Sequence, residues 1–471
     1  MTSPDGSSAP DPRQAAAPGF GPALQVQGEV RVPTSKSVAQ RVLACALLAE
    51  GETRFEALPT GKDVLHALRC AREGGARFPS KGREDDLLAT ALIPRLGRGA
   101  LLGAPPGPME GERPWVAFPV GESGTSARLF TAIGALGRPA GSGAEVVPTG
   151  TLEKRRSPAL FRALRLAGAG VEHGGIEDGW PALLTATAPP DRLELVQPGS
   201  SQEVSSLLIA LASHDGHREL RVVGPIPSEG YVNITTAVLE RFGAVVTRSA
   251  VLGDGPGGDA IRYRVRGPLR APTEALRIEA DASSAAVALA AGALSGGALT
   301  FVGGVGVTSA QPDAAFPALM ARLGCDASLS NEDRLALSGQ PIRGGSLDCS
   351  AVPDVAPVLA AVGGFLADRG EALELTGLET LPGKESSRID VLATGLKAIG
   401  FETEASDRSL KILRRTRRPD GPVALDPEGD HRMAFAFALM SLFEPNVRII
   451  DPDCVSKSWP TFWRDVSAAG E

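Results

Sequence analysis

Lys36-Ser37-x-x-x-Arg41 sets an ammonium, a hydroxyl and a guanidinium within little more than one helical turn. Lys36 and Ser37 would stand at the helix start, with Arg41 one turn after Ser37 near the same face. That arrangement suits a phosphate or carboxylate, because Arg binds such groups as a fork and Lys adds a point charge. An ordinary N-cap beside a solvated lysine has the same pattern. Ser200-Ser201-Gln202 offers two hydroxyls and an amide to an anion or a polyol, although capping alone accounts for such a run. Arg155-Arg156 before Ser157-Pro158 is either an anion clamp at a helix start or a solvated basic pair. Lys384-Glu385-x-x-Arg388 mixes a proton donor or acceptor with two cations on one turn, where the plain alternative is a surface ion-pair lattice. Asp430-His431-Arg432 precedes the apolar run 433–439, and Pro353-Asp354 precedes the apolar run 355–362. Burying ionisable groups at such places costs several kcal/mol unless they are paired or used. Gly377…Gly383-Lys384 fails as a phosphate loop: its spacing is one residue too long, and Glu385 stands where Ser or Thr must hold magnesium.

Four of these groups share a position. Lys36-Ser37, Ser200-Ser201-Gln202, Pro353-Asp354 and Asp430-His431-Arg432 each sit in an opener of small hydroxyl or charged residues before an Ala/Leu-rich run of helix length, and a second helical stretch then closes on Gly. The openers are Ser35-Lys36-Ser37, Ser123-Gly124-Thr125, Ser200-Ser201-Gln202, Asp281-Ala282-Ser283-Ser284, Pro353-Asp354 and Asp430-His431-Arg432. The closers are Gly75, Gly168, Gly243, Gly324, Gly400 and Gly470, roughly 70 to 93 residues apart. The chain reads as one α/β unit used six times, with helix N-termini whose free N–H groups and dipole favour anions. In the first unit, 25–32 alternates as a strand, 36–49 is helical, 53–58 is a strand and 63–73 is an amphipathic helix. In the third, 203–212 and 234–242 are helical, and 254–259 is a hairpin loop. The Gly/Pro-rich 96–112 reads as a surface loop. Three units fit each half, with a seam near 271–276; the N-terminal strand suits either half.

Bulk properties agree. A chain of 471 residues suggests two domains. Aromatics are 4% of residues, so the core must come from Ala, Val, Leu and Ile. A net charge of −7 argues against nucleic acid or an anionic membrane as partner, which makes the cations in the openers a local exception. Five scattered cysteines show no metal-ligand spacing and read as reduced thiols. Residues 1–21, rich in Pro, Ala, Ser and Gly, lack the features of a signal peptide and read as a disordered tail. No apolar run is long enough for a membrane span, so a soluble protein is expected.

From about Gln25 to the C-terminus the chain resembles the 5-enolpyruvylshikimate-3-phosphate synthase family. The resemblance rests on Lys36-Ser-x-x-x-Arg41, Gly121-Glu-Ser-Gly-Thr-Ser-Ala-Arg128, Ser200-Ser-Gln202, Tyr231-x-x-Ile-Thr235, Asp281-Ala-Ser-Ser284, Pro353-Asp354, Lys384-Glu-x-x-Arg388, Asp430-His-Arg-Met433 and Lys457. It implies the two-lobed enolpyruvyl transferase fold, an inside-out α/β barrel of six units, three per lobe. Lobe 1 would comprise 22–35 and 272–471, on the phosphoenolpyruvate and catalytic side. Lobe 2 would comprise 36–271, on the shikimate 3-phosphate side. The implied reaction is attack of the 5-hydroxyl of shikimate 3-phosphate on C2 of phosphoenolpyruvate, with phosphate leaving by C–O cleavage, on the way to chorismate and the aromatic amino acids. No cofactor and no metal are implied, and a cytoplasmic monomer is expected.

Carried over by position, Lys36 would touch both substrates, and Ser37 and Arg41 would hold the shikimate carboxylate end. Ser200, Ser201 and Ser228 would bind the 3-phosphate, with Gln202 beside both ligands and Tyr231 lining the ring. Gly124, Arg155, Arg388, Arg432 and Lys457 would surround phosphoenolpyruvate. Asp354 would take the hydroxyl proton and Lys384 would help to place that hydroxyl. Glu385 would deliver a proton to the methylene carbon, with His431 and Lys457. Three places depart from the commonest family pattern. Glu122 stands where Asn is usual beside the donor phosphate, Thr380 replaces an Asn, and Ser386-Ser387 replaces Thr-Asp, with loss of an acid that orients Arg388. These leave open a related transferase with another hydroxylated acceptor. The UDP-N-acetylglucosamine enolpyruvyltransferases share fold and donor, but 129–154 lacks their reactive Cys. A non-catalytic phosphate-binding protein is opposed by the retention of Asp354, Glu385 and Lys457 together.

Overall fold

A computed structural model describes residues 16–77, 98–104, 115–251, 259–297, 299–302, 305, 309–330 and 334–469. Four of the six openers begin helices by capping them. Ser35, Ser123, Ser200 and Asp430 each turn a side-chain oxygen back to accept from a first-turn N–H, those of Val38, Ser126, Gln202 and Arg432. This satisfies donors that the helix itself leaves orphaned. The helices that follow, among them Lys36–Leu48, Gly124–Leu136, Ser201–Ala212, Ala356–Ala367 and His431–Met440, are buried over most of their length. A helix apolar all round belongs inside a core.

The second helix of each module is amphipathic. Lys62–Glu73 buries Val64, Ala67, Leu68 and Ala71 and turns most of its charges outward, Asp63 being the buried exception. It ends where glycine lets the chain turn left-handed. Gly168 and Gly243 have φ of +90° and +78°. The next N–H groups, of Ala169 and Ala244, reach back to Leu164 O at 3.1 Å and Leu239 O at 3.0 Å, a Schellman closure that a Cβ would strain. Gly75, Gly324 and Gly400 also have positive φ; Gly470 lies outside the described residues.

The described strands form six sheets, and four follow one plan. In Val116–Gly121, Gly143–Pro148, Ala182–Thr185 and Gly170–His173, the first two strands are parallel and the remaining pairs antiparallel. The buried helix is the crossover that a parallel pair requires. The sheets built on 192–196, 345–348 and 28–30 repeat this order.

The chain divides into two compact units. The N-terminal unit holds the described residues of Val32–Ala282 and Gly303–Ala314; the C-terminal unit holds those of Met1–Arg31, Ser283–Val302 and Ala315–Glu471. Three sheets belong to each. In both, one leading strand arrives out of chain order. Gly28–Val30 pairs in parallel with Leu299–Val302, so this short strand belongs to the C-terminal unit. Leu276–Arg277 pairs in parallel with Phe55 and Glu56 in the N-terminal unit. Within that unit, helix Gly124–Leu136 packs on Lys36–Leu48 and Ser201–Ala212. Ala, Ser and Gly on these helices allow close approach, so few aromatics are needed.

Two expectations change here. The stretch 96–112 contains the strand Arg98–Leu102, antiparallel to Glu52–Glu56; residues 96–97 and 105–112 lie outside the described residues. Of the expected tail, 1–15 also lie outside them. Within the rest of it the chain is ordered, contrary to expectation: Ala17–Pro18 pairs with Ile449 and Arg448, and the Phe20 ring lies 5.5 Å from Phe462 and 5.1 Å from Trp463. The expected hairpin loop 254–259 is described only at Asp259. No helix among the described residues is long and apolar enough to cross a membrane.

Candidate active site

In the N-terminal unit, three capped helix starts are tied together by side chains. Gln40 Nε2 donates to Ser123 Oγ at 2.6 Å and to Ser126 Oγ at 2.9 Å, joining the first two helices. Arg128 Nη1 donates to Gln202 Oε1 at 3.0 Å, and Gln202 Nε2 to Thr125 Oγ1 at 2.9 Å, joining the second and third. Arg41 closes the set. Its Nε donates to Thr235 Oγ1 at 2.7 Å and its Nη1 to Ser37 O at 2.8 Å, while Nη2 reaches Ser205 Oγ and Tyr231 O at 3.4 and 3.5 Å. Burial pulls this guanidinium down to about 10, and it lowers Arg128 as well.

Lys36, half-buried, pairs with the buried Asp63 at 3.0 Å. Ser201 N donates to Pro227 O at 3.1 Å, which brings the Ser200-Ser201 turn against the loop bearing Ser228. Ser228 itself has a φ of +54°. Tyr231 is held by its N–H on Ser228 O at 3.1 Å and by its phenol, which donates to the buried Asp313 at 2.8 Å. Gly124 leaves room beside two guanidinia: a Cβ there would meet Arg128 Nη1 at 3.0 Å and Arg155 Nη1 at 3.2 Å. Hydroxyls and cations therefore surround these helix starts, and the nearby carboxylates are engaged. Asp63 holds Lys36, while Glu203 takes the Ser157 hydroxyl and the Gly199 N–H.

The C-terminal unit carries a denser network. Arg388, with 2% of its side chain exposed, touches three carboxylates: Asp430 at 2.8 Å, Glu385 at 2.7 Å and Asp354 at 3.1 Å. Asp354 opens helix Ala356–Ala367 through a short 3-10 turn. It also accepts from Arg432 Nη2 at 2.9 Å and lies 3.6 Å from Lys384 Nζ. Burial alone would raise its carboxyl, but Arg432, Lys384 and Arg388 reverse that and hold it well below the usual carboxylate range. Burial lowers Lys384, with Asp354 opposing, whereas for Arg388 the three carboxylates outweigh burial and raise it. Glu385 reaches a second cation, Lys457, at 3.2 Å. His431 is buried, with Nδ1 3.7 Å from Asp430 Oδ1.

Asp354, Lys384, Glu385, Arg388, His431, Arg432 and Lys457 are thus one network, centred on Arg388 and Asp430. Thr380 stands apart, with its buried Oγ1 unpartnered. Despite Ser386-Ser387, Arg388 keeps an orienting acid. Asp430, 42 residues away, orients the guanidinium, and Ser386 Oγ donates to the same Asp430 oxygen at 3.3 Å. Reading by motif passed over Asp63, Gln40, Arg128 and Asp313. Arg128 closes a quoted motif, yet its partner Gln202 is 74 residues away.

With the geometry in place, likeness to known proteins becomes specific. The architecture defines an enolpyruvyl transferase fold. It matches a solved EPSP synthase from Acinetobacter baumannii with a TM-score of 0.71 at 21% identity, covering 97% of this chain and 98% of that one. It also matches the enolpyruvyl transferase NikO from Streptomyces tendae, with a TM-score of 0.66 at 16% identity, covering 97% of each. Residues 22–466 match the family EPSP synthase (3-phosphoshikimate 1-carboxyvinyltransferase), and the chain belongs to that family. Among its relatives, the 3-phosphoshikimate 1-carboxyvinyltransferase of Thiobacillus denitrificans is 32% identical over 93% of this chain and 96% of its own length. That of Pasteurella multocida is 29% identical over 96% and 97%.

Proposed function

We propose that this protein transfers the enolpyruvyl group of phosphoenolpyruvate to the 5-hydroxyl of shikimate 3-phosphate and releases phosphate. Family membership across residues 22–466 supports the reaction. The observation that supports its chemistry is the placing of Asp354, ionised and held by Arg432, Arg388 and Lys384, in a network that also contains the Glu385–Lys457 pair.

Retaining the methylene while breaking the C–O bond to phosphate requires addition followed by elimination. The acceptor oxygen bonds to C2 as its proton passes to Asp354 and C3 gains a proton from the Glu385–Lys457 pair. C3 then returns a proton and the C2–O bond to phosphate breaks. Asp354 is a weak base while its cations hold it, so it acts as the hydroxyl is delivered to its free lone pairs. Lys384 places that hydroxyl, and His431 supports proton traffic beside Asp430. Arg388, Arg432 and Lys457 offset the donor's charge, with Gly124 and Arg155 taking its phosphate. In the N-terminal unit, Lys36, Ser37 and Arg41 serve the acceptor's carboxylate end, and Ser200, Ser201, Gln202, Ser228 and Tyr231 serve its phosphate and ring.

Cytoplasmic operation without a nucleic-acid or membrane partner fits the five free thiols and the net charge of −7. The test is phosphate release from phosphoenolpyruvate with and without shikimate 3-phosphate. Release that depends on the acceptor is expected; acceptor-independent release, or none, rejects the assignment.

A further inference from the structure

Glu122 lies just before the capped start of helix Gly124–Leu136, and its carboxylate is bound to a different loop. Oε1 accepts from Thr151 N at 3.0 Å, in the 3-10 turn Gly150–Lys154. Gly150 has a φ of +59°, and a Cβ there would fall 2.0 Å from that same oxygen, so the turn is folded directly onto the carboxylate. Thr151 passes the restraint on, because its Oγ1 accepts from Arg155 Nη2 at 3.0 Å. The other terminal nitrogen of Arg155 lies 3.2 Å from where a Gly124 Cβ would stand, and its Nε is buried without a partner. The relay Glu122–Thr151–Arg155 therefore starts and finishes at one helix N-terminus, and it leaves a guanidinium aimed across Gly124 with hydrogen-bonding capacity unspent.

We infer that Glu122 is a positioning residue for the donor phosphate: it acts through Thr151 to fix Arg155 over Gly124. An acid next to an anion-binding turn has an opposite reading, in which its charge repels the substrate and weakens binding. The two readings differ in what they require of the side chain. Positioning needs an acceptor oxygen on Thr151 N, which glutamine retains, whereas repulsion needs the charge, which glutamine lacks. Gly150 supplies an independent handle, since a methyl there intrudes on the carboxylate and opposes the left-handed backbone.

The inference rests on reading Arg155 as a phosphoenolpyruvate ligand. Steady-state kinetics on Glu122→Ala, Glu122→Gln, Gly150→Ala and Thr151→Val test it. Glu122→Ala and Gly150→Ala are expected to raise KM for phosphoenolpyruvate about tenfold, the loss of one hydrogen bond near a charged group. KM for shikimate 3-phosphate and kcat should change little. Thr151→Val, which keeps the backbone N–H but drops Oγ1, should follow them, and Glu122→Gln should stay near wild type. A Glu122→Gln enzyme with a lower KM for the donor, or a Glu122→Ala enzyme with an unchanged one, overturns the inference. If the wild-type enzyme itself releases no phosphate with shikimate 3-phosphate, the functional assignment has failed instead. The relay is then read by the melting-temperature shift that inorganic phosphate produces. A smaller shift in Glu122→Ala than in wild type upholds it, and an equal shift rejects it.

Discussion

The two units organise charge in opposite ways. In the N-terminal unit, cations and hydroxyls stand at three helix starts, and the carboxylates among them are spent on holding Lys36 and Ser157. In the C-terminal unit, carboxylates and cations alternate within 2.7 to 3.6 Å: Lys384, Asp354, Arg388, Glu385. The first pattern suits holding an anion, since neutral donors and fixed cations need give nothing up when it leaves. The second suits moving protons, since each acid has a base within reach and the field of its neighbours sets which of them is charged. One repeated module is therefore suited to binding where its opener carries hydroxyls and to proton chemistry where it carries carboxylates.

That contrast can be broken most sharply at Asp354. Asp354→Ala is expected to lower turnover by ~10²- to 10⁴-fold, the range for a general acid–base group, with substrate binding largely kept. Near-normal phosphate release would remove the base from the scheme. Next comes Arg388→Met, which strands the fully buried Asp430 and should cost ~3–5 kcal/mol of stability in urea unfolding. A loss below ~1 kcal/mol would mean that Asp430 finds another partner. In the other unit Gln202→Ala removes a bridge rather than a reacting group. It should raise KM for both substrates about tenfold while sparing kcat; a fall in kcat alone would place proton chemistry on that side too.

Gly168→Ala tests the scaffold apart from either site, and about 1–2 kcal/mol is expected from the left-handed backbone. A thermal midpoint equal to wild type would show that the helix end refolds around the methyl. The mildest test is acid. With Asp354 held well below its unfolded value of about 3.9, its contribution to stability is complete above that value and is lost only as pH falls through the lower folded value. The gap in urea midpoint between wild type and Asp354→Asn should therefore persist to about pH 4 and close below it. A gap that closes near neutrality would show that Asp354 is not held by its cations.

Much of this was legible in the sequence because it is local. Ser35, Ser123, Ser200 and Asp430 announce helices through their own side chains, and Gly168 and Gly243 end them through their own backbone freedom. The Arg98–Leu102 strand was hidden by its Gly/Pro-rich surroundings, since only pairing with Glu52–Glu56 makes it a strand. The same holds within the candidate site. Lys36 is visible as a cation, but its restraint by Asp63 is 27 residues distant. Arg388 was expected to have lost an orienting acid, and it has one from a module further on. Spacing reports what a helix face carries, whereas partners from other modules depend on packing that no short window contains.

The exchanged leading strands have a consequence for synthesis. The N-terminal unit receives its last strand, Leu276–Arg277, only as its own final module ends, so the sheet on Glu52–Glu56 is completed promptly on a growing chain. Gly28–Val30 is made early, yet its partner Leu299–Val302 follows some 270 residues later. At ~5–20 residues per second, this edge waits on the order of 10–50 s before it is covered. The waiting strand is only 3 residues long and carries the exposed Glu29, and a short, charged edge limits pairing with neighbouring nascent chains.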